Sequence, residues 1–232
     1  MAETVGGRFK HFMKEWVKPI VIVLIIVGSF RSTFADWNDV PTGSMKPTIL
    51  EGERIFVNKL AYDLKVPFAG WRVAIWGNPK RGDIVVLFSP ADGRRLVKRV
   101  VGLPGDRIAM VNNRLVINGR PVAYEPVDPE LAAELLAGAD PEFVVESERL
   151  DAAPHSVMFD SGYAPARSFR PVVVPDGQYF VLGDNRDNSF DSRWFGFVRR
   201  NRIVGRATAV VVSVDLERHW RPRWHRFLRG LS

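Results

Sequence analysis

The sequence predicts a mainly β protein, with an antiparallel β core, an inserted irregular or β subdomain, and one N-terminal transmembrane helix before the core. Two observations support this fold class. From Pro41 onward, short β-branched and aliphatic segments alternate with turn residues, as is typical of antiparallel strands. Before them, residues 19–30 form the uncharged apolar run PIVIVLIIVGSF, which is typical of a membrane segment.

The apolar run is predicted to anchor the chain in a membrane. Four Lys/Arg residues precede it, whereas Asp36 and Asp39 follow it, and basic residues favour the cytoplasmic side. We therefore expect residues 1–18 to be a basic cytoplasmic N-terminus, residues 19–35 to cross the membrane once, and the rest of the chain to lie outside. Because the run is short, a cleaved signal peptide and a buried core helix are the alternatives.

The segments that follow predict the β core and its insertion. The predicted core covers residues 36–122 and 171–214, and the less regular residues 123–170 form the insertion. Asn118-Gly119 is a typical two-residue hairpin turn, and Asp128-Pro129 before ELAAELLAGA predicts one short helix. The predicted strand segments are 54–60, 83–88, 95–102, 107–111, 114–122, 171–174, 178–183 and 202–214.

Residues 215–232 are predicted to be a basic amphipathic C-terminal tail. The apolar residues recur at helical spacing, and the arginines lie outside the apolar arc. This pattern favours a helix in a membrane interface, with a frayed basic tail or a helix packed on the β domain as the alternative. The apolar set is Trp220, Trp224, Phe227, Leu228 and Leu231.

The distribution of charge indicates the class of partner. The formal net charge is +7, with +3 in residues 1–31 and +4 in residues 217–232, so the middle of the chain is neutral. A nucleic-acid-binding domain carries its excess positive charge on the folded body. We therefore predict membrane lipid and no nucleic acid as a partner. The lack of cysteine excludes disulfides, zinc–thiolate sites and a cysteine nucleophile.

Two motifs contain candidate reactive side chains. Ser44 lies in PTGSMKPT (41–48), where a glycine and two prolines predict a constrained loop that exposes a nucleophile, although a simple turn would have the same composition. Lys98 lies in VKRVVGLPGD (97–106), and on a strand it shares a face with Leu96 and Val100. Among aliphatic neighbours, desolvation lowers the pKa of a lysine and produces a neutral amine that accepts a proton.

A third motif, GDNRDNSFDSR at residues 183–193, predicts a polar network directly after an apolar strand. A calcium loop is the competing interpretation, but the required Gly and distal Glu positions are not met and two arginines lie inside the stretch. We therefore predict no metal and no other cofactor. None of the four histidines is placed for a Ser–His–Asp triad, which leaves a serine–lysine pair as the reasonable arrangement.

The apolar run and the motifs PTGSMKPT, RGDIVV, VKRVVGLPGD and GDNRDNSFDSRWFG, in this order, strongly resemble the bacterial type I signal peptidase family. The resemblance extends to about residue 214. It implies an all-β catalytic domain outside the cytoplasmic membrane and a serine endopeptidase that removes signal peptides from exported preproteins after small-x-small sites. It also implies that Ser44 is the nucleophile and Lys98 the general base.

The resemblance implies further site residues. Ser189 matches a serine that orients the lysine amine, Asp191 and Arg193 match a supporting charged pair, and Arg99 with Asp184 is expected to form a second pair. The walls of the pockets for small −1 and −3 side chains correspond to Val40, Pro41, Met45, Ile49, Leu96 and Val97.

Thr42 departs from the family pattern, which usually has a serine at this position. In the family the hydroxyl of that serine helps to form the oxyanion hole with the N–H of the nucleophile. Threonine keeps the hydroxyl, while its β-branch restricts the rotamer. Two other functions remain as alternatives: a specialised relative that processes a dedicated partner such as a conjugative pilin, and a non-catalytic membrane-anchored peptide-binding module.

Overall fold

The computed structural model describes residues 13–69, 71–136, 143–151, 153–160, 162, 167–216 and 218–231. Most of the predicted cytoplasmic N-terminus therefore lies outside the described residues. Strands predominate. They are β1 Ala35–Val40, β2 Glu53–Asn58, β3 Asp63–Lys65, β4 Arg72–Ile75, β5 Ile84–Phe88, β6 Arg95–Gly102, β7 Arg107–Val111, β8 Arg114–Ile117, β9 Arg120–Pro121, β10 Ala123–Pro126, β11 Phe143–Arg149, β12 His155–Asp160, β13 Phe169–Val173, β14 Gln178–Leu182, β15 Val198–Arg199, β16 Ile203–Asp215 and β17 Arg221–Pro222. The α-helices are α1 Lys18–Thr33, α2 Pro129–Leu135 and α3 Ser192–Phe195.

The main sheet has the strand order β1-β2-β16-β5-β6-β14-β15, with β17 paired to β16. Its neighbouring strands pair antiparallel, which confirms the predicted mainly antiparallel β architecture. The central strands are buried on both faces: Ile84 to Leu87 of β5 and Val97 to Gly102 of β6 are all buried. A side chain in the middle of β6 therefore lies in the interior whichever way it points.

Smaller sheets lie beside the main sheet. Strands β10, β11 and β12 form one, and β13, β7, β8 and β9 form another. The hairpin between β8 and β9 has the predicted turn, because Asn118 and Gly119 both have positive φ angles, 52° and 78°. Strand β13 runs across the predicted boundary at residue 170, so the insertion and the core share a sheet.

Helix α2 begins where the sequence predicts it. The Asp128 side chain accepts hydrogen bonds from the N–H groups of Glu130 (2.9 Å) and Leu131 (3.3 Å), which satisfies two of the free donors at a helix N-terminus. The helix ends at Leu135, and the last residues of the predicted segment ELAAELLAGA, residues 137–139, lie outside the described residues.

Helix α1 coincides with most of the predicted anchor. It has 16 residues, follows a π-helical turn at Met13–Val17, and exposes apolar side chains along its length. Within the described residues, no helix combines the length and the apolar character needed to cross a membrane. Asp36 joins the end of the helix to the main sheet, because its carboxylate lies 2.8 Å from Arg31, 3.4 Å from Lys59 and 3.3 Å from Arg95.

The C-terminal tail is not the predicted amphipathic helix. Its described residues form strand β17, a single 3₁₀ turn at Trp224–Arg226 and a bridge from Gly230 to Ala209. The cause is a tertiary contact that helical spacing does not reveal: Arg226 is buried, and its Nε lies 2.5 Å from Glu53 Oε1. The tail therefore packs on the β domain.

Backbone hydrogen bonds also attach the tail to strand β16. The N–H of Val210 donates to the carbonyl of Arg229 (2.8 Å), and the N–H of Leu231 donates to the carbonyl of Thr208 (2.9 Å). Leu231 packs against the core, whereas Trp220, Trp224 and Leu228 remain exposed. The predicted apolar arc is thus divided between the core and the surface.

Replacing Arg226 by methionine should destabilise the fold. The substitution leaves the Glu53 carboxylate buried without its charged partner, and breaking a buried ion pair in this way typically costs about 3–5 kcal/mol. Urea unfolding measures the change. Arg54→Met is the matched control, because Arg54 pairs with Asp39 at an exposed position where water screens the two charges, so its loss should change the stability little. Equal stability of the two variants would contradict a structural role for the tail.

Candidate active site

Ser44 lies in a tight turn between β1 and β2. Gly43–Met45 form one 3₁₀ turn, and the Lys46–Pro47 peptide bond is cis. Met45 and Ile49 are buried in the core and fix the turn to the sheet, while Ser44 is half-buried. The N–H of Ser44 lies in the first turn of a helical segment, where N–H groups have no acceptor within the helix. The turn therefore presents the Ser44 hydroxyl together with a backbone N–H that has no acceptor within the helical turn itself.

Lys98 approaches this turn from the middle of β6. Its residue exposure is only 2%. The amine Nζ lies 2.5 Å from the hydroxyl Oγ of Ser44. The two candidate reactive groups, which are 54 residues apart in the sequence, are therefore in direct hydrogen-bond contact.

Burial changes the acid–base chemistry of Lys98. Desolvation lowers its pKa from the ordinary 10.5 to about 8, because the charged ammonium loses its hydration. The negative charges of Asp191 and Asp184 raise the pKa and limit this change, and the positive charge of Arg193 lowers it further. A substantial fraction of the amine is therefore neutral at mildly alkaline pH, and a neutral amine accepts a proton from a hydroxyl.

Gly183 allows the third motif to approach the serine turn. A Cβ atom on this residue would lie 2.4 Å from the Ser44 carbonyl oxygen and 2.3 Å from Ser189 Oγ, far inside van der Waals contact. Asn185 then holds the turn, because its N–H donates to the Ser44 carbonyl (3.1 Å) and its Nδ2 donates to the Gly43 carbonyl (3.2 Å). The sequence motif contains both residues, but sequence analysis assigned them no role.

Arg99 and Asp184 form a buried ion pair beside the site. Arg99 Nε donates to Asp184 Oδ1 at 2.9 Å, and Arg99 Nη2 donates to Asp184 Oδ2 at 2.8 Å. The hydroxyl of Thr48 also donates to Asp184 Oδ2, at 2.5 Å. Burial alone would raise the pKa of Asp184, but the charge and hydrogen bonds of Arg99 hold it below the ordinary value. Asp184 is therefore an ionised and fully paired carboxylate.

Asp191 and Arg193 form the second pair. Asp191 is buried, accepts from Arg193 Nε (2.9 Å) and Nη2 (2.8 Å), and also accepts from the N–H of Gly183 (3.1 Å). The structure differs from the expectation at Ser189. Among the described residues, its buried hydroxyl has no hydrogen-bond partner, so the expected bond to the Lys98 amine is not formed. The Ser189 side chain packs against the Cα of Gly183 instead.

A third ion pair reaches the site from the insertion. Arg186 Nη2 donates to Glu148 Oε1 of β11 at 2.5 Å, and both side chains are buried. Arg186 also donates from Nε to the Gly183 carbonyl (3.2 Å), and its own carbonyl accepts from Arg193 Nη2 (2.5 Å). Glu148 was not predicted from the sequence, because it belongs to no motif and its partner is 38 residues away.

Four of the six expected pocket residues lie together. Val40, Met45, Ile49 and Val97 are buried in one apolar cluster. Leu96 packs instead against the neighbouring cluster around β5 and β14. Pro41 is exposed and lines a cavity of about 620 Å³ between the serine turn, helix α2 and the C-terminal tail.

The chain is similar to known signal peptidases over most of its length. A family model described as "Signal peptidase, peptidase S26" matches residues 13–212. Signal peptidase I of Pseudomonas aeruginosa is 37% identical over 215 residues, which cover 86% of this chain and 72% of the relative. Signal peptidase I P of Bacillus subtilis subsp. natto is 36% identical over 213 residues, which cover 91% of this chain and 96% of the relative. The match over most of the chain confirms the resemblance found in the motifs: the chain belongs to the signal peptidase family, peptidase S26.

Proposed function

We propose that this chain is a membrane-bound serine endopeptidase that removes N-terminal signal peptides from exported preproteins. The observation that carries the proposal is the 2.5 Å contact between Ser44 Oγ and the buried amine of Lys98, whose pKa is lowered to about 8. A nucleophile and a base in hydrogen-bond contact are the minimum required for acyl transfer. The names of the relatives supply the substrate class.

The mechanism follows from the protonation state of Lys98. The neutral amine accepts the Ser44 hydroxyl proton while Oγ attacks the carbonyl carbon of the −1 residue. The resulting ammonium then gives this proton to the leaving amine, and an acyl-enzyme on Ser44 remains. A water molecule, deprotonated by the same amine, attacks the acyl carbonyl, and the ammonium returns this proton to Ser44 Oγ as the signal peptide is released. The Ser44 N–H and the Thr42 hydroxyl stabilise the oxyanion in both steps.

The surrounding ion pairs position this chemistry. Asp184 and Asp191 each have an arginine partner, so neither carboxylate is free to bind the Lys98 ammonium directly. Ser189 lies next to Gly183 in the same segment, and its proposed role is to orient the Lys98 amine through its hydroxyl. The apolar cluster of Val40, Met45, Ile49 and Val97 provides shallow walls that exclude large −1 and −3 side chains by overlap.

Helix α1 is the proposed single-pass anchor in the bacterial cytoplasmic membrane, with the N-terminus cytoplasmic and the β domain outside. Its apolar residues are exposed on all sides, and a helix that is apolar all round requires an apolar environment. At about 1.5 Å per residue its 16 residues extend about 24 Å, so the anchor would include flanking residues such as Trp16 and Phe34 to cover a hydrocarbon core of about 30 Å.

Ser44→Ala and Lys98→Ala should each reduce preprotein cleavage by at least about 10²–10⁴-fold, because each removes one partner of the proton transfer. Lys98→Arg should not restore cleavage, since a guanidinium does not lose its proton near neutral pH. Gel analysis of a purified preprotein measures this, and Lys80→Ala, at an exposed lysine, is the control that should cleave normally. Turnover by Lys98→Ala would exclude the serine–lysine pair.

The pH dependence of kcat/KM should rise with pH and level off above about pH 8. Lys98 acts only after losing a proton, and its pKa in the folded protein is about 8. A soluble peptide substrate, assayed between pH 6 and pH 10, measures this profile. A rising limb centred near pH 6.5, where a histidine titrates, would contradict the assignment.

The pH dependence of the free energy of unfolding gives an independent test of the lowered pKa of Lys98. Between pH 8 and pH 10.5 the unfolded chain holds more protons at Lys98 than the folded chain, so the free energy of unfolding should rise with pH across this range. The total rise should be on the order of 3 kcal/mol, from a pKa of 10.5 lowered to about 8. Lys98→Met has no titrating group at this position, so its free energy of unfolding should lack this rise between pH 8 and pH 10.5. Urea unfolding of both proteins across this pH range measures the difference. Equal pH dependence of the two proteins would contradict the lowered pKa of Lys98.

Thr42→Val should lower kcat by about 10²–10³-fold, because it keeps the side-chain shape but removes one oxyanion donor. Thr42→Ser keeps the hydroxyl and should remain active. Steady-state kinetics on a peptide substrate separate an effect on kcat from an effect on KM. If Thr42→Val cleaves at the parental rate, the oxyanion is stabilised by other groups.

A further inference from the structure

Strand β1 and the first half of β6 each have an edge that no other strand covers in the described part of the chain. Strand β1 pairs with β2 alone. Residues 95–98 of β6 pair with β5 on one side, whereas β14 pairs with β6 only at residues 99–102. An uncovered edge presents backbone N–H and C=O groups that bind an added strand. Two such edges therefore lie beside the contact between Ser44 and Lys98.

The two edges border one groove, which has a contact at each end. Because neighbouring strands in the order β1-β2-β16-β5-β6 are antiparallel, β1 and β6 run in the same direction. At one end, Ser44 Oγ lies 2.5 Å from Lys98 Nζ. At the other end, the carboxylate of Asp36 in β1 lies 3.3 Å from the guanidinium of Arg95 in β6. Arg95 precedes Lys98 by three residues, so the groove between the contacts is about 10 Å long.

The position of the apolar cluster gives the direction of a substrate in this groove. Val40 and Val97 belong to the cluster, and each lies between the two end contacts along its own strand. With the −1 carbonyl at Ser44, the preceding substrate residues therefore extend towards Arg95. Side chains alternate along an extended chain, so those at −1, −3 and −5 share the face of the cluster. Arg95 shares that face with Val97, so the −5 side chain is the first to pass the apolar walls and approach Arg95.

This end of the groove carries a surplus of positive charge. The single carboxylate of Asp36 is shared by three cations, Arg31 at 2.8 Å, Lys59 at 3.4 Å and Arg95 at 3.3 Å. The Asp36 side chain is only 11% exposed, whereas those of Arg31 and Arg95 are 50% and 32% exposed. Burial lowers the pKa of Lys59, Asp36 raises it, and the charges of Arg95 and Arg31 lower it further. A substrate that reaches this end therefore meets mainly cations.

We propose that Arg95, together with Arg31 and Lys59, selects the substrate residue at −5 by charge, favouring an acidic side chain and disfavouring a basic one. The inference rests on the proposed function of the site as a signal peptidase. An acidic side chain at −5 supplies an anion to a cluster that has one carboxylate for three cations, whereas a lysine or arginine meets like charge. The pockets at −1 and −3 select by size, so selection by charge at −5 is a separate property of the groove.

Peptide cleavage by the full chain in detergent micelles tests this selectivity. The substrates are soluble peptides with alanine at −1 and −3 that differ only in having Glu, Gln or Lys at −5. The kcat/KM of the Glu peptide should exceed that of the Lys peptide by at least about fivefold, mainly through KM, because −5 is remote from the bond that is cleaved. Raising the salt concentration from about 0.02 M to about 0.5 M should reduce this ratio, since salt screens exposed charges.

Substitutions at Arg95 should lower the ratio of Glu-peptide to Lys-peptide cleavage in two steps. Arg95→Gln removes one cation and Arg95→Glu reverses its charge, while Asp36 keeps its two other partners. Arg94→Gln is the matched control, because Arg94 is the adjacent residue but pairs with Asp92, and its ratio should equal the parental one. Each ratio compares two peptides on one protein, so a general loss of activity cancels. A parental ratio near one, or a ratio that Arg95→Glu leaves unchanged, would overturn the proposal.

Peptide binding to Ser44→Ala separates this inference from the proposed function. The variant lacks the nucleophile, and the fluorescence anisotropy of labelled peptides measures its preference at −5 without cleavage. Tighter binding of the Glu peptide, with no cleavage of any peptide by the parental chain, would refute the protease and support the charge selection. Equal cleavage and equal binding of the Glu and Lys peptides would overturn the charge selection and leave the protease. Absence of both binding and cleavage would refute both.

Discussion

The contact between the Ser44 hydroxyl and the buried Lys98 amine is the constraint on which the rest of the site depends. An amine serves as a base only when it is neutral, and burial provides this by lowering its pKa to about 8. Nearby carboxylates have the opposite effect on the pKa, because they stabilise the charged ammonium. Asp184 and Asp191 are both close enough to have this effect, and each is paired with an arginine, Arg99 and Arg193. By pairing the two carboxylates, the arginines thus help to keep the Lys98 amine in the neutral form that burial favours.

This arrangement makes the segment after β14 the least replaceable part of the site. It supplies both carboxylates, and Gly183 lets it pack directly on the Ser44 carbonyl. The pair of Arg186 with Glu148 extends the network into β11, so the insertion contributes to the conformation of the segment after β14 although it contributes none of the proposed reactive groups. Loss of one ion pair would leave a buried charge without a partner, which is costly, so the network is cooperative.

Local pattern predicted much of this molecule, and long-range pairing accounts for the rest. Period-two alternation placed Lys98 and Arg99 on opposite faces of β6, and Asn118-Gly119 predicted its hairpin, because both signals lie within a few residues. The pairs Glu148–Arg186 and Glu53–Arg226 join distant segments, so no local signal reveals them. The second pair also explains the error in the tail, where one buried arginine outweighed a regular helical spacing of apolar residues.

The same physics explains why a lysine suits this fold as the proposed base. A histidine needs a third group to set its tautomer and orientation, as in a serine–histidine–aspartate triad. The aliphatic stem of Lys98 packs within a strand that is buried on both faces, and that packing both directs the amine to Ser44 and removes it from water. One structural feature, the burial of β6, therefore supplies the orientation and the pKa together. The cost is that the base depends on the packing of the sheet, so substitutions in β5 and β14 that admit water would raise the pKa of Lys98 without touching it.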